Sequence, residues 1–314
     1  MNVIYRLFSI AALCPALAGA ATIEFPTRTF SGHSKAVETV AISPDGQYLA
    51  SSGLDTNVII WSLKTGKAKK VIVGHTDSVW ALDFSPEGDI LASVGNQTIE
   101  LWKVPAGINS DTIVGESFSI SSVKFSPDGE YIATGGFKSI GIWNAKTGTA
   151  VKVLRGHSGG INSIAFTPSN LAMISGGDDG VLNVWNIAGA NITRTIKAHA
   201  EAIRCVSLSS NGKYAATASL DGTVKIWRLN DGVLMNTLKA HEGGARTVAF
   251  SPDGRYVASG GLDDTVKFWS VAGKAPIKVY IGHADSVETV VFSPDGKTLA
   301  SGSKDATVKL WKLP

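Results

Sequence analysis

Tryptophan recurs in this 314-residue chain at Trp61, Trp102, Trp143, Trp185, Trp227, Trp269 and Trp311, at intervals of 41, 41, 42, 42, 42 and 42 residues. A period of that length restricts the chain to repeat architectures, in which each unit is one supersecondary element that cannot bury its faces alone. Within a unit, four short stretches alternate apolar and polar residues, as half-buried strands do. In the sixth they read ARTVAF, YVASGG, TVKFW and IKVYI. Between the first two lies Ser251-Pro252-Asp253-Gly254, with proline second and glycine fourth, a type I turn signature. Close variants recur at Ser43, Ser85, Ser126 and Ser293. A glycine four or five residues past each of the first six tryptophans (Gly66, Gly107, Gly148, Gly189, Gly232, Gly273) punctuates the next hairpin. No helix fits, so each unit is predicted to be a four-stranded antiparallel meander.

Seven such units predict an all-β, seven-bladed β-propeller, its sheets set radially round a channel. The residues also resemble the WD-repeat family, from about Phe25 to Pro314. A Gly-His pair stands at His33, His75, His157 and His283, and Ala-His at His199 and His241, which accounts for all six histidines. The aspartate usual after the tryptophan is replaced by Ser62, Lys103, Asn144, Asn186, Arg228, Ser270 and Lys312. The resemblance implies one hydrogen-bonded tetrad per blade: His33, Ser51, Asp55, Trp61; His157, Ser175, Asp179, Trp185; His199, Thr217, Asp221, Trp227; His241, Ser259, Asp263, Trp269; and His283, Ser301, Asp305, Trp311. Indole donates to hydroxyl, hydroxyl to one imidazole nitrogen, and the other imidazole N–H to carboxylate.

The two ends of the chain supply an independent expectation. The last unit stops after its third strand, while PTRTFSGH at 26–33 lies over PIKVYIGH at 276–283. The N-terminal strand is therefore expected to join the last blade and close the ring, removing exposed sheet edges.

Residues 1–20 read differently from 21–314, which form a single propeller. MNVIYRLFSIAALCPALAGA has one charge, Arg6, then an apolar run and Ala18-Gly19-Ala20. That order is a secretory signal peptide, with cleavage expected after Ala20 and a periplasmic or secreted location. Cys205 is then the lone cysteine, so neither an internal disulfide nor a cysteine-rich metal cage is expected. The net charge of +3 is too mild and too evenly spread for a nucleic-acid footprint, and no apolar run after the signal is long enough to span a membrane.

Histidine, aspartate and serine recurring together invite a catalytic reading. Copies held in separate blades, however, cannot converge on one substrate or metal, and satisfied polar networks fix a unique packing. Gly156-His157-Ser158-Gly159-Gly160 fits G-x-S-x-G, but a nucleophile elbow needs a following helix where a strand is predicted here. No catalytic, metal or cofactor site is expected. Units two and three depart from the rule. Unit two keeps His75, Ser93 and Trp102 but has a loop one residue short and no aspartate; unit three has Glu116 for histidine and is equally short.

Function is then expected on loops displayed by a rigid ring. Family resemblance implies the face carrying the Gly-His loops. One position per blade reads Glu38, Trp80, Ser121, Asn162, Arg204, Arg246 and Glu288, and a second offers Leu54, Asp178, Leu220, Leu262 and Lys304, with Phe137 in unit three. Trp80, Arg204, Arg246, Glu38, Glu288, Leu54, Leu220 and Leu262 are the candidate partner-binding residues, Arg204 and Arg246 forming a basic sector beside an acidic one. The expected function is a non-catalytic protein-interaction scaffold, a monomeric propeller within a complex. The alternatives are an enzyme or cofactor binder at the channel mouth, and a glycan-binding envelope protein using Trp80.

Overall fold

The structure, a computed structural model, describes residues 21–115 and 119–314. The expected signal peptide and Glu116 lie outside the described residues. In the first blade (37–73), strands Val37–Ile42, Tyr48–Gly53, Asn57–Ser62 and Ala68–Val73 pair antiparallel in chain order. The first hairpin is built as its sequence requires: Gly46 N–H donates to Ser43 O at 2.8 Å, and Tyr48 N–H to Ser43 Oγ at 2.9 Å. Gly46 takes φ 68°, which a side chain would strain. The same meander recurs at 81–114, 122–155, 161–197, 203–239 and 245–280.

The last blade has three strands of its own, Val287–Phe292, Thr298–Ser303 and Thr307–Lys312. Its fourth is Arg28–Ser31, antiparallel to Thr307–Lys312 with Phe30 opposite Val308. That register repeats the other blades, where Ile72 faces Val58, Ile113 faces Ile99, and Leu238 faces Val224. In each case the outermost strand turns one large apolar side chain inward. The N-terminal strand thus occupies the position expected for it.

The cores lie between blades. Seven buried clusters each join two consecutive blades, and one of them packs Phe30, Ala300, Val308 and Leu310 of the last blade against Val37, Leu49 and Trp61 of the first. Each fully buried Val, Leu or Ile contributes about 1.5–3 kcal/mol, so these contacts hold the blades side by side. Small residues on the second strand let neighbours approach. A Cβ on Gly302 would stand 2.7 Å from Val37, and one on Gly260 2.5 Å from Val287 of the next blade. Among the described residues the regular structure is all strand, an arrangement consistent with a seven-bladed propeller.

Two features depart from the expected plan. Ala150–Phe166 is one unbroken strand, pairing as the outer strand of blade three up to Arg155, with Gly160 still opposite Phe137, and as the inner strand of blade four from Ile161. The G-x-S-x-G stretch therefore sits within a strand and opens no helix. Thr22–Glu24 adds a fifth, parallel strand to blade six, with Ile23 beside Val279 and Lys278 Nζ 2.7 Å from Glu24 Oε1. Three residues without tryptophan, turn or repeat match left no signal for it.

Candidate functional site

The predicted tetrads assemble in five blades. In blade one, Trp61 Nε1–H donates to Ser51 Oγ at 2.8 Å, Ser51 bonds His33 Nε2 at 2.7 Å, and His33 Nδ1 lies 3.0 Å from Asp55. Ser175 joins Trp185 at 2.8 Å to His157 at 2.7 Å, and Asp179 follows at 2.9 Å. Thr217 joins Trp227 and His199 at 3.0 and 2.7 Å, with Asp221 at 2.8 Å from the imidazole. In blade six, Ser259 stands 3.0 Å from Trp269 and 2.8 Å from His241, whose Nδ1 is 2.7 Å from Asp263. In the last blade, Ser301 joins Trp311 at 2.8 Å and His283 at 2.7 Å, and Asp305 completes the set at 2.8 Å.

The hydroxyl must accept from the indole, so its own proton goes to imidazole Nε2, and Nδ1–H is left for the carboxylate. That chain requires neutral histidine. Burial disfavours the charged imidazole of His199, His241 and His283 and outweighs the aspartate beside each, holding all three below the usual range. Lys225, Lys267 and Lys309 push the same way. Burial alone would raise Asp263, but hydrogen bonds from His241 and Lys267, with their charge, hold it far below the carboxylate norm. In those three blades the clasp thus favours a neutral imidazole beside an anionic carboxylate, with the tautomer set by the hydroxyl. The arrangement locks a loop; it does not poise a proton for transfer.

Blades two and three stop short. His75, Ser93 and Trp102 keep their links at 2.6 and 2.7 Å, but hydroxyl and indole stand nine residues apart in sequence instead of ten. The missing residue is the aspartate's loop, replaced by a tight turn with Asn96 at φ 52°. In blade three Trp143 donates to Thr134 at 2.9 Å.

The seven positions of the predicted rim all line one cavity of about 690 Å³ along the axis between the inner strands. Each inner strand has its rim residue at one end and a turn at the other (Ser-Pro in five blades, Thr167-Pro168 and Ser209-Ser210 in blades four and five), so Glu38, Trp80, Ser121, Asn162, Arg204, Arg246 and Glu288 surround one mouth. Trp80 is 40% exposed there. The charged sectors are not laid open as the sequence suggested. Arg246 Nε lies 3.2 Å from Glu288 Oε2 of the neighbouring blade, and the Glu288 side chain is only 6% exposed. Lys304 Nζ stands 3.7 Å from the other carboxylate oxygen. Burial and the adjacent Glu288 raise the Glu38 carboxyl above its ordinary range, against Lys304, Arg246 and Arg204. Leu262 is exposed, whereas Leu54 and Leu220 are half-buried.

Two wall residues escaped sequence reasoning. Lys124 Nζ pairs with Asp83 Oδ1 at 2.5 Å, and Asp83 Oδ2 accepts the Phe125 N–H at 2.8 Å, tying blade two to blade three inside the channel. The signal was there: three residues past the rim position, the blades otherwise carry Ala41, Ala165, Ser207, Ala249 and Val291.

Seven blades, their shared inter-blade cores and one hydroxyl clasp per blade define a tryptophan-anchored β-repeat scaffold with a charged axial mouth. The chain belongs to the WD40 family: the description "WD domain, G-beta repeat" matches residues 24–62, 66–103, 109–144, 148–186, 190–228, 232–270 and 274–312. Each matched repeat straddles two blades; 24–62 holds the outer strand of the last blade and three strands of the first. The chain is 38% identical over 52 residues to the transcriptional repressor rco-1 of Neurospora crassa, covering 17% of this chain and 9% of that one. It is 51% identical over 39 residues to the small ribosomal subunit protein RACK1 of Medicago sativa, 12% of each chain. The matched stretches thus span about a tenth of the curated relatives' length. Among the described residues no helix is long and apolar enough to cross a membrane, and no three His, Cys, Asp or Glu side chains gather at metal-binding distance.

Proposed function

We propose that this chain is a closed seven-bladed ring acting as a non-catalytic protein-interaction scaffold, exported by its first twenty residues and docking its partner on the Gly-His-loop face around the channel mouth. The observation that carries the reading is a contrast within each repeat. The clasp residues recur from blade to blade, while the seven rim residues differ in size and charge. A scaffold needs the first to be constant and a specific docking surface needs the second to vary. Aromatic and arginine side chains, here Trp80 with Arg204 and Arg246, are the types that dominate interface energetics. Pairing of 28–31 with the last blade supports closure.

Affinity capture from the exporting compartment tests the surface. Wild type should retain a discrete partner that Trp80→Ala and the double variant Arg204→Ala/Arg246→Ala lose. An unchanged captured set in both variants would refute this face. Mass measurement of the mature chain should show Ala21 as its first residue; a retained Met1 would refute export by cleavage. Light scattering should give the mass of a single chain when the partner is absent.

A further inference from the structure

The channel mouth holds three cations, Arg204, Arg246 and Lys304, and three acids, Glu38, Asp178 and Glu288, but their direct pairing is uneven. Arg246 and Lys304 share Glu288, whose Oε1 also accepts from Ser286 Oγ at 2.8 Å. Arg204 makes no ion pair among the described residues; its hydrogen-bond contact is Nη1 to Asn162 Oδ1 at 3.4 Å, at the long limit. Asn162 is itself fixed, with its amide group donating to Asp178 Oδ1 at 2.8 Å and to Ile203 O at 2.9 Å. Asp178 thus accepts from Asn162 and acts on Arg204 through its charge, without an ion pair.

Glu38, the remaining rim acid, makes no ion pair either. Burial and then the neighbouring Glu288 raise its carboxyl, while Lys304, Arg246 and Arg204 act against that rise without direct pairing. Burial and the nearby Arg246 act against the Arg204 cation, opposed by the charges of Asp178, Glu288 and Glu38, none of which forms an ion pair with it among the described residues. A guanidinium nevertheless cannot shed its proton, and it offers five donors in a fixed fork. Half-buried in a cavity wall, such a charge is costly without a partner. A carboxylate matches its two parallel donors.

Building on the proposed docking face, we infer that the mouth receives one acidic side chain, an aspartate or glutamate on a partner protein's loop, whose carboxylate pairs with Arg204. Trp80, three blades round the ring, offers a rigid apolar wall for the rest of that loop. Arg246 and Lys304 orient the incoming charge without yielding Glu288.

The test follows the Trp80 indole N–H resonance, present in every Arg204 variant, and in the wild type also the Arg204 Nε–H, by NMR of the purified full chain. The probe is a capped seven-residue Gly/Ser peptide with one central glutamate, compared with its glutamine counterpart and with sodium phosphate. The glutamate peptide should give a saturable shift at least tenfold tighter than the glutamine peptide. Arg204→Gln and Arg204→Ala, checked for an unchanged unfolding midpoint, should abolish binding, and Arg204→Lys should keep part of it. Equal binding of the two peptides, or undiminished binding by Arg204→Gln, overturns the inference. So does saturation by phosphate with no response to the glutamate peptide, which would make the occupant a free anion. Partner capture separates the two levels. If Arg204→Gln alone retains the partner while Trp80→Ala loses it, the docking face stands and the acidic insertion falls.

Discussion

Blades two and three differ from the other five at the same few atoms, and the difference shows what each part of the clasp does. Where the aspartate is present it reaches beyond histidine. Asp55 accepts the backbone N–H of Ser34 at 2.9 Å and of Asn57 at 3.2 Å, and Asp179 accepts those of Ser158 and Val181 in the same way. Where it is absent, the indole–hydroxyl–imidazole chain of blade two keeps its distances unchanged. The loop is held instead by main-chain bonds: Trp80 N–H to Val94 O, Gly115 N–H to Gln97 O, and Ile120 N–H to Asn96 O. The hydroxyl is therefore the element that sets the blade, and the aspartate is the element that ties the Gly-His loop to it. The two blades that dispense with the aspartate also furnish two of the three uncharged rim residues, Trp80 and Ser121, the third being Asn162 of blade four.

The sharpest way to break that comparison is to remove the hydroxyl in one blade of each kind. Ser175→Ala leaves two buried groups without partners, the Trp185 N–H and His157 Nε2, and should cost about 2–4 kcal/mol. Among the described residues Thr134→Val orphans only the Trp143 N–H, and it should cost about 1–2 kcal/mol. Denaturant midpoints of the two variants, taken at equal slope, measure the difference. Equal losses would mean that the histidine adds nothing to the clasp.

A smaller effect sharpens the second half of the comparison. Asp179→Ala should cost about 1–2 kcal/mol, because the N–H groups it releases are partly exposed and water replaces the acceptor. Amide exchange of Ser158 and Val181 should quicken, while the Trp185 indole resonance stays near its wild-type position. A displaced indole resonance would show that the aspartate, not the hydroxyl, positions the tryptophan.

How far such distinctions can be read from sequence depends on whether a residue acts within its own repeat. The strands, the Ser-Pro-Asp-Gly turns and the clasp partners are local or separated by one fixed spacing, so the repeat together with the family resemblance brought His33, Ser51, Asp55 and Trp61 together. Placement of Arg28–Ser31 in the last blade was legible for the same reason, since it completes a repeat cut by the chain ends. The rim charges were legible as positions but not as interactions. Arg246 and Glu288 belong to different repeats, and their pairing depends on how close two inner strands come at the axis. The Asp83–Lys124 link and the parallel strand Thr22–Glu24 were hidden likewise, each resting on a contact between units that no within-repeat pattern encodes.

The smallest expected effect concerns protons. His75 lies below the usual histidine range because burial outweighs the attraction of Glu100, and it has no aspartate to stabilise its charged form. Its folded state then binds fewer protons than its unfolded state, so its contribution to stability is present above the unfolded pKa of about 6.5 and declines as pH falls below it. His199, His241 and His283 act with the same sign, despite their aspartates. Each can remove at most about 1.4 kcal/mol per pH unit. The clasp aspartates, held low in the fold, add their own losses only below about pH 4. Unfolding free energy measured from pH 7.5 to 5 should therefore fall, and His75→Gln should flatten the fall by part of one histidine's share while Asp221→Asn leaves His199 still neutral and the slope nearly intact. A slope untouched by His75→Gln would mean that His75 takes up its proton as readily in the fold as out of it. The aspartate-free blade would then carry no proton-linked weakness relative to the complete ones.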